Sequence, residues 1–277
     1  MDIRDRVALV TGAGAGAGRA IAARLAAEGA AVVVADIGQE GGRDAVRRIE
    51  SAGGRAAFTR ADVTVEPDVR AMVAFAEEAF GGLDVLVNNA GGTEPPFFPE
   101  APSDHWGRTL DLNLRGPMLA IQHALPAMRR RGGGAVVNVS SVAGLGTLAN
   151  RFCDYAAAKA GLMRLTVTLA PLAGRDGVRV NCVVPDWIWS EAAAAHLAAL
   201  PPDDPGYRPA RLTPPEDIAG AVARLVRDDS LAGRVLVCWC DHPWALVGDG
   251  DLGYRDSEVM PVPPPAPAPT AHPGGAG

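Results

Sequence analysis

Cysteine is scarce in this chain, with four among 277 residues. Cys153, Cys182, Cys238 and Cys240 make no C-x-x-C pair and have no histidine cluster beside them. Metal ligands come in such spacings, so no metal centre is expected. Cys238 and Cys240 flank Trp239 in an apolar run and on a strand would share a face, as packed thiols of a reducing compartment. Basic runs are lacking too. Beyond Arg129-Arg130-Arg131 the positive charge is scattered, and the formal net charge is −6. An acidic chain of this kind attracts polyanions poorly, which argues against nucleic acid as a partner. The three arginines precede Gly132-Gly133-Gly134 and read as the end of a helix, where cations meet the carbonyl end of the dipole. No apolar run is long enough to cross a bilayer, so no membrane role is expected. The opening MDIRDRVALVTG enters an apolar strand at once, without the form of a signal peptide, and a cytoplasmic location is the expectation.

What is present is an ordinary soluble composition, 48% hydrophobic and 21% charged. A chain of this length can bury a large core without disulfides and still form one α/β domain. Strand-like runs are expected at 7–10, 31–35, 55–60, 83–87, 135–139, 178–183 and 235–239. Helical patterns lie between them, at 16–28, 40–52, 67–80, 103–128, 154–173 and 215–226. Pro67 suits a first helical turn, and Ser103 reads as an N-cap. Near-continuous apolar strands alternating with helices predict an α/β fold, a doubly wound parallel sheet of Rossmann-like form in a single domain. That domain is expected over 1–259, with a short lid near 190–211. The stretch 260–277, rich in Pro, Ala and Gly, cannot form a packed core and is expected to be a disordered tail.

The turn after the first strand reads TGAGAGAG. It follows a strand and opens a helix, where main-chain N–H groups can meet a pyrophosphate. The common G-x-G-x-x-G spacing is absent. The spacing that fits is T-G-x-x-x-G-x-G, through Gly12, Gly16 and Gly18. Asp36, at the end of the second strand, can accept hydrogen bonds from the adenosine ribose hydroxyls and would repel the extra phosphate of NADP. No basic residue stands beside it in sequence, so NAD is expected over NADP.

Tyr155 and Lys159 lie four residues apart on an expected helix and share a face. A free tyrosine has a pKa of about 10, too high for a good base at neutral pH. A nearby ammonium and an oxidised nicotinamide would both favour the phenolate, making Tyr155 an acid/base candidate.

With these residues in order, the chain closely resembles the short-chain dehydrogenase/reductase family, in its compact single-domain branch, from about Arg6 to Trp239. The motifs are TGAGAGAG, Asp62-Val63, NNAG at 88–91, Asn113, NVSS at 138–141, YAAAK at 155–159 and RVNCVVP at 179–185. The resemblance implies that Ser141 hydrogen-bonds the substrate oxygen and Tyr155 transfers the proton. Lys159 would hold the nicotinamide ribose and lower the tyrosine pKa, and Asn113 would support a relay water. Asp62 and Val63 would flank the adenine, and Asn88, Ala90 and Gly91 would line the cofactor channel. Pro185 and Ser190 would stand near the nicotinamide. Two departures follow Pro185. Asp186 replaces the family's usual glycine, where an unusual backbone conformation is expected, and Cys240-Asp241-His242 replaces its Asp-Gly-Gly.

The implied reaction moves hydride between NAD and a secondary alcohol or ketone. A catalytically silent NAD-binding regulator is the alternative, and the intact Asn113, Ser141, Tyr155 and Lys159 argue against it. An epimerase or dehydratase of the longer branch would need a larger C-terminal substrate region. Pro96, Phe97, Phe98, the stretch 145–152 with Arg151, and 187–189 either meet the substrate or pack the lid. The resemblance also implies a homodimer or homotetramer, with the helices at 103–128 and 154–173 packing against a partner subunit.

Overall fold

The computed structural model describes residues 1–146, 152–199 and 209–247. The expected tail at 260–277, part of the expected lid and Arg151 lie outside the described residues. Eight strands form one sheet in the order β3-β2-β1-β4-β5-β6-β7-β8. They are β1 (Val7–Thr11), β2 (Ala31–Asp36), β3 (Arg55–Arg60), β4 (Val85–Asn88), β5 (Gly134–Val139), β6 (Val178–Pro185), β7 (Val235–Cys238) and β8 (Ala245–Leu246). All pairs are parallel except β7 with β8.

Side chains alternate along each strand, and the two faces bury different layers. Ala8, Val10, Val32, Val34, Val85 and Val87 pack with α1 (Gly16–Ala27), α2 (Gln39–Ser51) and α9 (Pro215–Arg227). Leu9, Val33, Leu86 and Val136 pack with α3 (Glu66–Phe80) and α5 (Gly116–Arg130). Burial on both faces explains why these strands read as continuous apolar runs. The chain steps outward from β1 in one direction to β3 and then returns to place β4 on the other side. The turns after β1 and β4 therefore open a crevice at the carboxyl ends of the strands.

Strand limits agree with the sequence reading to a residue or two, whereas three helical expectations change. The helix expected at 103–128 is broken into α4 (Ser103–Leu110), a π turn (Asp111–Arg115) and α5. Pro117 causes a local fault: it has no N–H, so the carbonyl of Asn113 loses its ordinary donor. Gly116 N instead reaches back to Asp111 O, a π-type bond. Ser103 is not the N-cap; Pro102 occupies that position, and no side chain caps the helix. The helix expected at 154–173 stops as α6 (Cys153–Thr168), and α7 (Leu172–Asp176) follows after Pro171. β8 was not foreseen. It covers the β7 edge, held by Val247 N to Val235 O at 2.9 Å and Arg234 Nη2 to Val247 O at 2.7 Å. α8 (Glu191–Ala199) follows β6 within the stretch expected as a lid.

Candidate functional site

The glycine turn is laced to the turn after β4. Thr11 Oγ1 accepts from Asn89 N at 3.0 Å and Ala90 N at 3.1 Å. Asn89 Nδ2 donates to Thr11 O at 2.9 Å and Gly12 O at 3.1 Å. Gly18 packs so tightly that a Cβ would strike Gly12 O and Asn89 Nδ2. Gly16 differs: its φ is +50° and nothing lies within 4 Å of where a Cβ would stand. That leaves open space over bare backbone at a helix N-terminus, which suits the pyrophosphate of a dinucleotide.

Two clefts meet at this turn. The larger, about 560 Å³, is lined by Gly12, Asp36, Ile37, Asp62 and Val63, and on its far side by Thr93, His105, Arg108 and Leu112. The smaller, about 330 Å³, is lined by the glycine turn, Asn89, Val139, Ser140, Tyr155, Lys159 and Ile188. Gly12, Ala90 and Gly91 belong to both. Asp36 is held by Gly14 N to Oδ2 and Gly38 N to Oδ1, both 2.8 Å. Asp62 Oδ1 accepts from Thr64 N and Oγ1 at 2.9 and 2.7 Å. An acidic, partly apolar cleft continuing into an open glycine turn fits the adenosine and pyrophosphate of a nicotinamide dinucleotide.

The reactive end is built on α6 and the π turn. Lys159 is 3% exposed, with Nζ 2.9 Å from Val139 O and 5.4 Å from the Tyr155 ring centre. Burial pulls its pKa down to about 8, against a smaller upward pull from the neighbouring Cys182 thiol. Burial pushes the Tyr155 phenol up, and a hydrogen bond with Ser141 opposes this. The expected lowering by Lys159 is not what governs the unliganded phenol, because desolvation outweighs every other influence. Ser141 Oγ also accepts from Ala143 N at 3.2 Å.

Asn113 is fully buried. Its Nδ2 donates to Gly92 O at 2.7 Å and Thr109 O at 2.9 Å, and its Oδ1 accepts from Gly92 N at 3.0 Å. Gly91 is the point of convergence: a Cβ there would stand 2.7 Å from Asn113 Oδ1 and 3.0 Å from Lys159 Nζ.

Not every candidate faces the clefts. Asn88 is buried, and its Nδ2 donates to Asn138 Oδ1 at 2.9 Å, in a chain continued to Thr166. Its neighbour Asn89 lines the cleft instead. Ser190 Oγ accepts from Ala193 N at 3.0 Å and so caps α8. Pro185 closes β6 and lines neither cleft. Asp186 does not carry the expected unusual backbone, since Asp5 is the one described non-glycine residue with positive φ. Of the stretch 187–189, Ile188 lines the smaller cleft. Sequence reasoning missed Ile37 and Leu112, apolar residues in a loop and at a helix face with no motif to mark them. It also missed Asp154, which is buried beside Tyr155 with neither carboxylate oxygen hydrogen-bonded.

Fold and clefts define a dinucleotide-binding protein of the doubly wound class. A family model for short chain dehydrogenase matches residues 6–199, and the chain belongs to that family. It is 38% identical over 207 residues to levodione reductase of Leifsonia aquatica, covering 73% of this chain and 76% of that one. It is 43% identical over 200 residues to cis-4-hydroxycyclohexanecarboxylate dehydrogenase of Sinomonas cyclohexanicum, covering 72% and 78%. A crystal structure described as a short-chain dehydrogenase/reductase of Burkholderia xenovorans superposes with a TM-score of 0.76 at 32% identity, covering 85% of this chain and 95% of that one. The protein is thus an oxidoreductase of a family that uses nicotinamide cofactors. Among the described residues no helix is long and apolar enough to cross a membrane.

Proposed function

We propose that this protein transfers hydride between NAD and a secondary alcohol or its ketone, with Tyr155 as the acid/base. The observation that carries the reading is the convergence at Gly91, which brings Asn113 and Lys159 within reach of each other beside Tyr155 and Ser141. Bound in the clefts, the nicotinamide supplies the hydride acceptor or donor. The chain's own residues do the rest. Ser141 orients the substrate oxygen, and Tyr155 Oη takes the proton during oxidation and returns it during reduction. Lys159 holds the nicotinamide ribose, and its ammonium favours the phenolate once an oxidised ring adds a second positive charge. Asn113 joins Gly92 to the π turn and stands behind Lys159.

Asp36 supports NAD over NADP, since its carboxylate borders the adenosine cleft. Among the described residues Arg108 is the sole lysine or arginine lining that cleft, and it stands on α4, away from β2. A ring-bearing alcohol is the substrate class favoured here. Phe97 and Phe152 meet edge to face at 5.0 Å, and Phe152 lies three residues before Tyr155, one helical turn away. The relative named for cis-4-hydroxycyclohexanecarboxylate acts on a ring alcohol. A homodimer or homotetramer is favoured by exposed Met118 on α5 and Val167 on α6, at 47% and 40%.

The test replaces Tyr155 by Phe, with cyclohexanol and its relatives as substrates. Loss of positioned acid/base catalysis lowers turnover by about 10²–10⁴-fold. NAD affinity should stay near that of the wild type, because the ring remains. Near-normal turnover by Tyr155→Phe would remove the residue from the reaction.

A further inference from the structure

β6 runs beneath Lys159, close enough for the Cys182 thiol and the ammonium to feel each other. The strand ends at Pro185. Two residues beyond Asp186, Ile188 lines the smaller cleft with Tyr155 and Lys159. Asp186 lines neither cleft itself; it stands behind this wall, between the end of β6 and Ile188, next to the site that the reading above gives to the nicotinamide.

Its carboxylate is only partly compensated. Asp186 is 7% exposed. Its N donates to Cys238 O at 3.0 Å, and its Oδ2 accepts from Cys240 N at 3.3 Å. Oδ1 is enclosed and has no hydrogen-bond partner. Among the described residues, no arginine, lysine or histidine pairs with it.

The frame around it is tied on several sides. Thr213 N donates to Trp187 O, and Trp189 N donates to Thr213 O, both at 2.8 Å. Cys240 Sγ lies 3.4 Å from both Trp187 O and Thr213 Oγ1. Arg211 Nε adds a bond to Cys240 O at 3.0 Å. Asp186 is thus held in place rather than free to swing into water.

Burying a carboxylate is costly unless donors or cations compensate it. Here the protein supplies one main-chain N–H and the neutral Cys240 thiol, and no cation among the described residues. The remaining compensation fits a charge that arrives with the ligand. A nicotinamide ring carries a positive charge when oxidised and none when reduced.

We propose that Asp186 tunes the bound cofactor couple, favouring the oxidised nicotinamide over the reduced one by acting as a fixed negative charge beside it. The consequence is that reduced cofactor, once formed, leaves sooner, which raises turnover wherever its release is limiting. The inference rests on the nicotinamide reading of the clefts.

The experiment titrates NAD⁺ and NADH separately into the wild type, Asp186→Asn and Asp186→Gly by calorimetry, with no substrate present. If the phosphorylated pair binds instead, the same titrations use that pair. The quantity read is the ratio of the two dissociation constants, reduced over oxidised. Asn keeps the shape and an acceptor for Cys240 N but removes the charge, so a purely structural role leaves the ratio unmoved. The ratio should fall on the order of tenfold in Asp186→Asn, as expected for a unit charge at about 10 Å and an effective dielectric of about 20. Asp186→Gly should shift it the same way, and it carries the test if the Asn variant does not fold. A ratio unchanged within about twofold, or a rise, overturns the inference while leaving the nicotinamide reading intact. Failure of the folded wild type to bind any of the four cofactor forms overturns both.

Discussion

Lys159→Met should make the unliganded protein more stable while abolishing its use of cofactor. The lysine is buried, and its pKa falls from 10.5 to about 8. The unfolded chain holds the proton more tightly than the folded one, so charging this group opposes folding. At pH 7 both states are protonated and the whole cost is present. A shift of about 2.5 units at 1.36 kcal/mol each amounts to ~3 kcal/mol. Methionine fills similar space without the charge, but Val139 O loses its 2.9 Å donor, which takes back about 1 kcal/mol. A net gain of roughly 2 kcal/mol corresponds to a Tm rise of about 4–8 °C in a protein of this size. The gain also has a pH signature. As pH rises from about 8 towards 10.5 the folded wild type sheds its proton first, so wild-type stability climbs and the advantage of the variant disappears. Thermal or urea melts of both proteins at pH 7, 9 and 10.5 measure this. An equal or lower stability of Lys159→Met at pH 7, or an advantage that persists undiminished to pH 10.5, would refute the reasoning.

Other residues give sharper local tests. Gly91→Ala places a methyl 2.7 Å from Asn113 Oδ1 and 3.0 Å from Lys159 Nζ, and the displacement should lower kcat by about 10²-fold in steady-state assays. Asp36→Ala removes the carboxylate from the adenosine cleft and should narrow the gap between NAD and NADP affinity measured by calorimetry; an unchanged gap would count against its role. Asn138→Val strands the Asn88 amide and removes the donor to Thr166 Oγ1 inside the core, at a cost of about 1–3 kcal/mol read by urea denaturation. The rate of alcohol oxidation should rise with pH, because burial raises the Tyr155 pKa and the base form gains as protons are withdrawn.

The fold was legible in the sequence because its strands are buried on both faces. Val32, Val33 and Val34 are apolar in succession, which only a doubly covered sheet tolerates. The helices misled where proline chemistry acted at a distance. Pro117 leaves an apolar periodicity intact across 103–128 yet strips a donor from the Asn113 carbonyl. The same fault gives Asn113 its place, since in the turn so altered its side chain reaches both Thr109 O and Gly92 O. β8 was hidden because a two-residue edge strand has too few residues to show alternation.

The candidate site was legible only as far as residue type carries the chemistry. Tyr155, Lys159, Ser141 and Asn113 are marked by reactive or hydrogen-bonding groups at family spacings. Which asparagine of Asn88-Asn89 enters the cleft is decided by strand register, and the register of Asn88 opposite Asn138 turns its amide into the core. Ile37 and Leu112 carry no chemistry of their own; they line the larger cleft because their backbone segments pass beside it. Asp186 is the instructive case. Read as a sequence change it suggested a backbone problem, because glycine is usual at that place. The backbone proves ordinary, and the departure lies instead in the side chain, which adds a buried oxygen without a partner where glycine would add none. On the inference drawn above, the charged residue acts on the cleft through its field rather than through its shape. That is why the measurement that interrogates it is a ratio of cofactor affinities and not a melting curve.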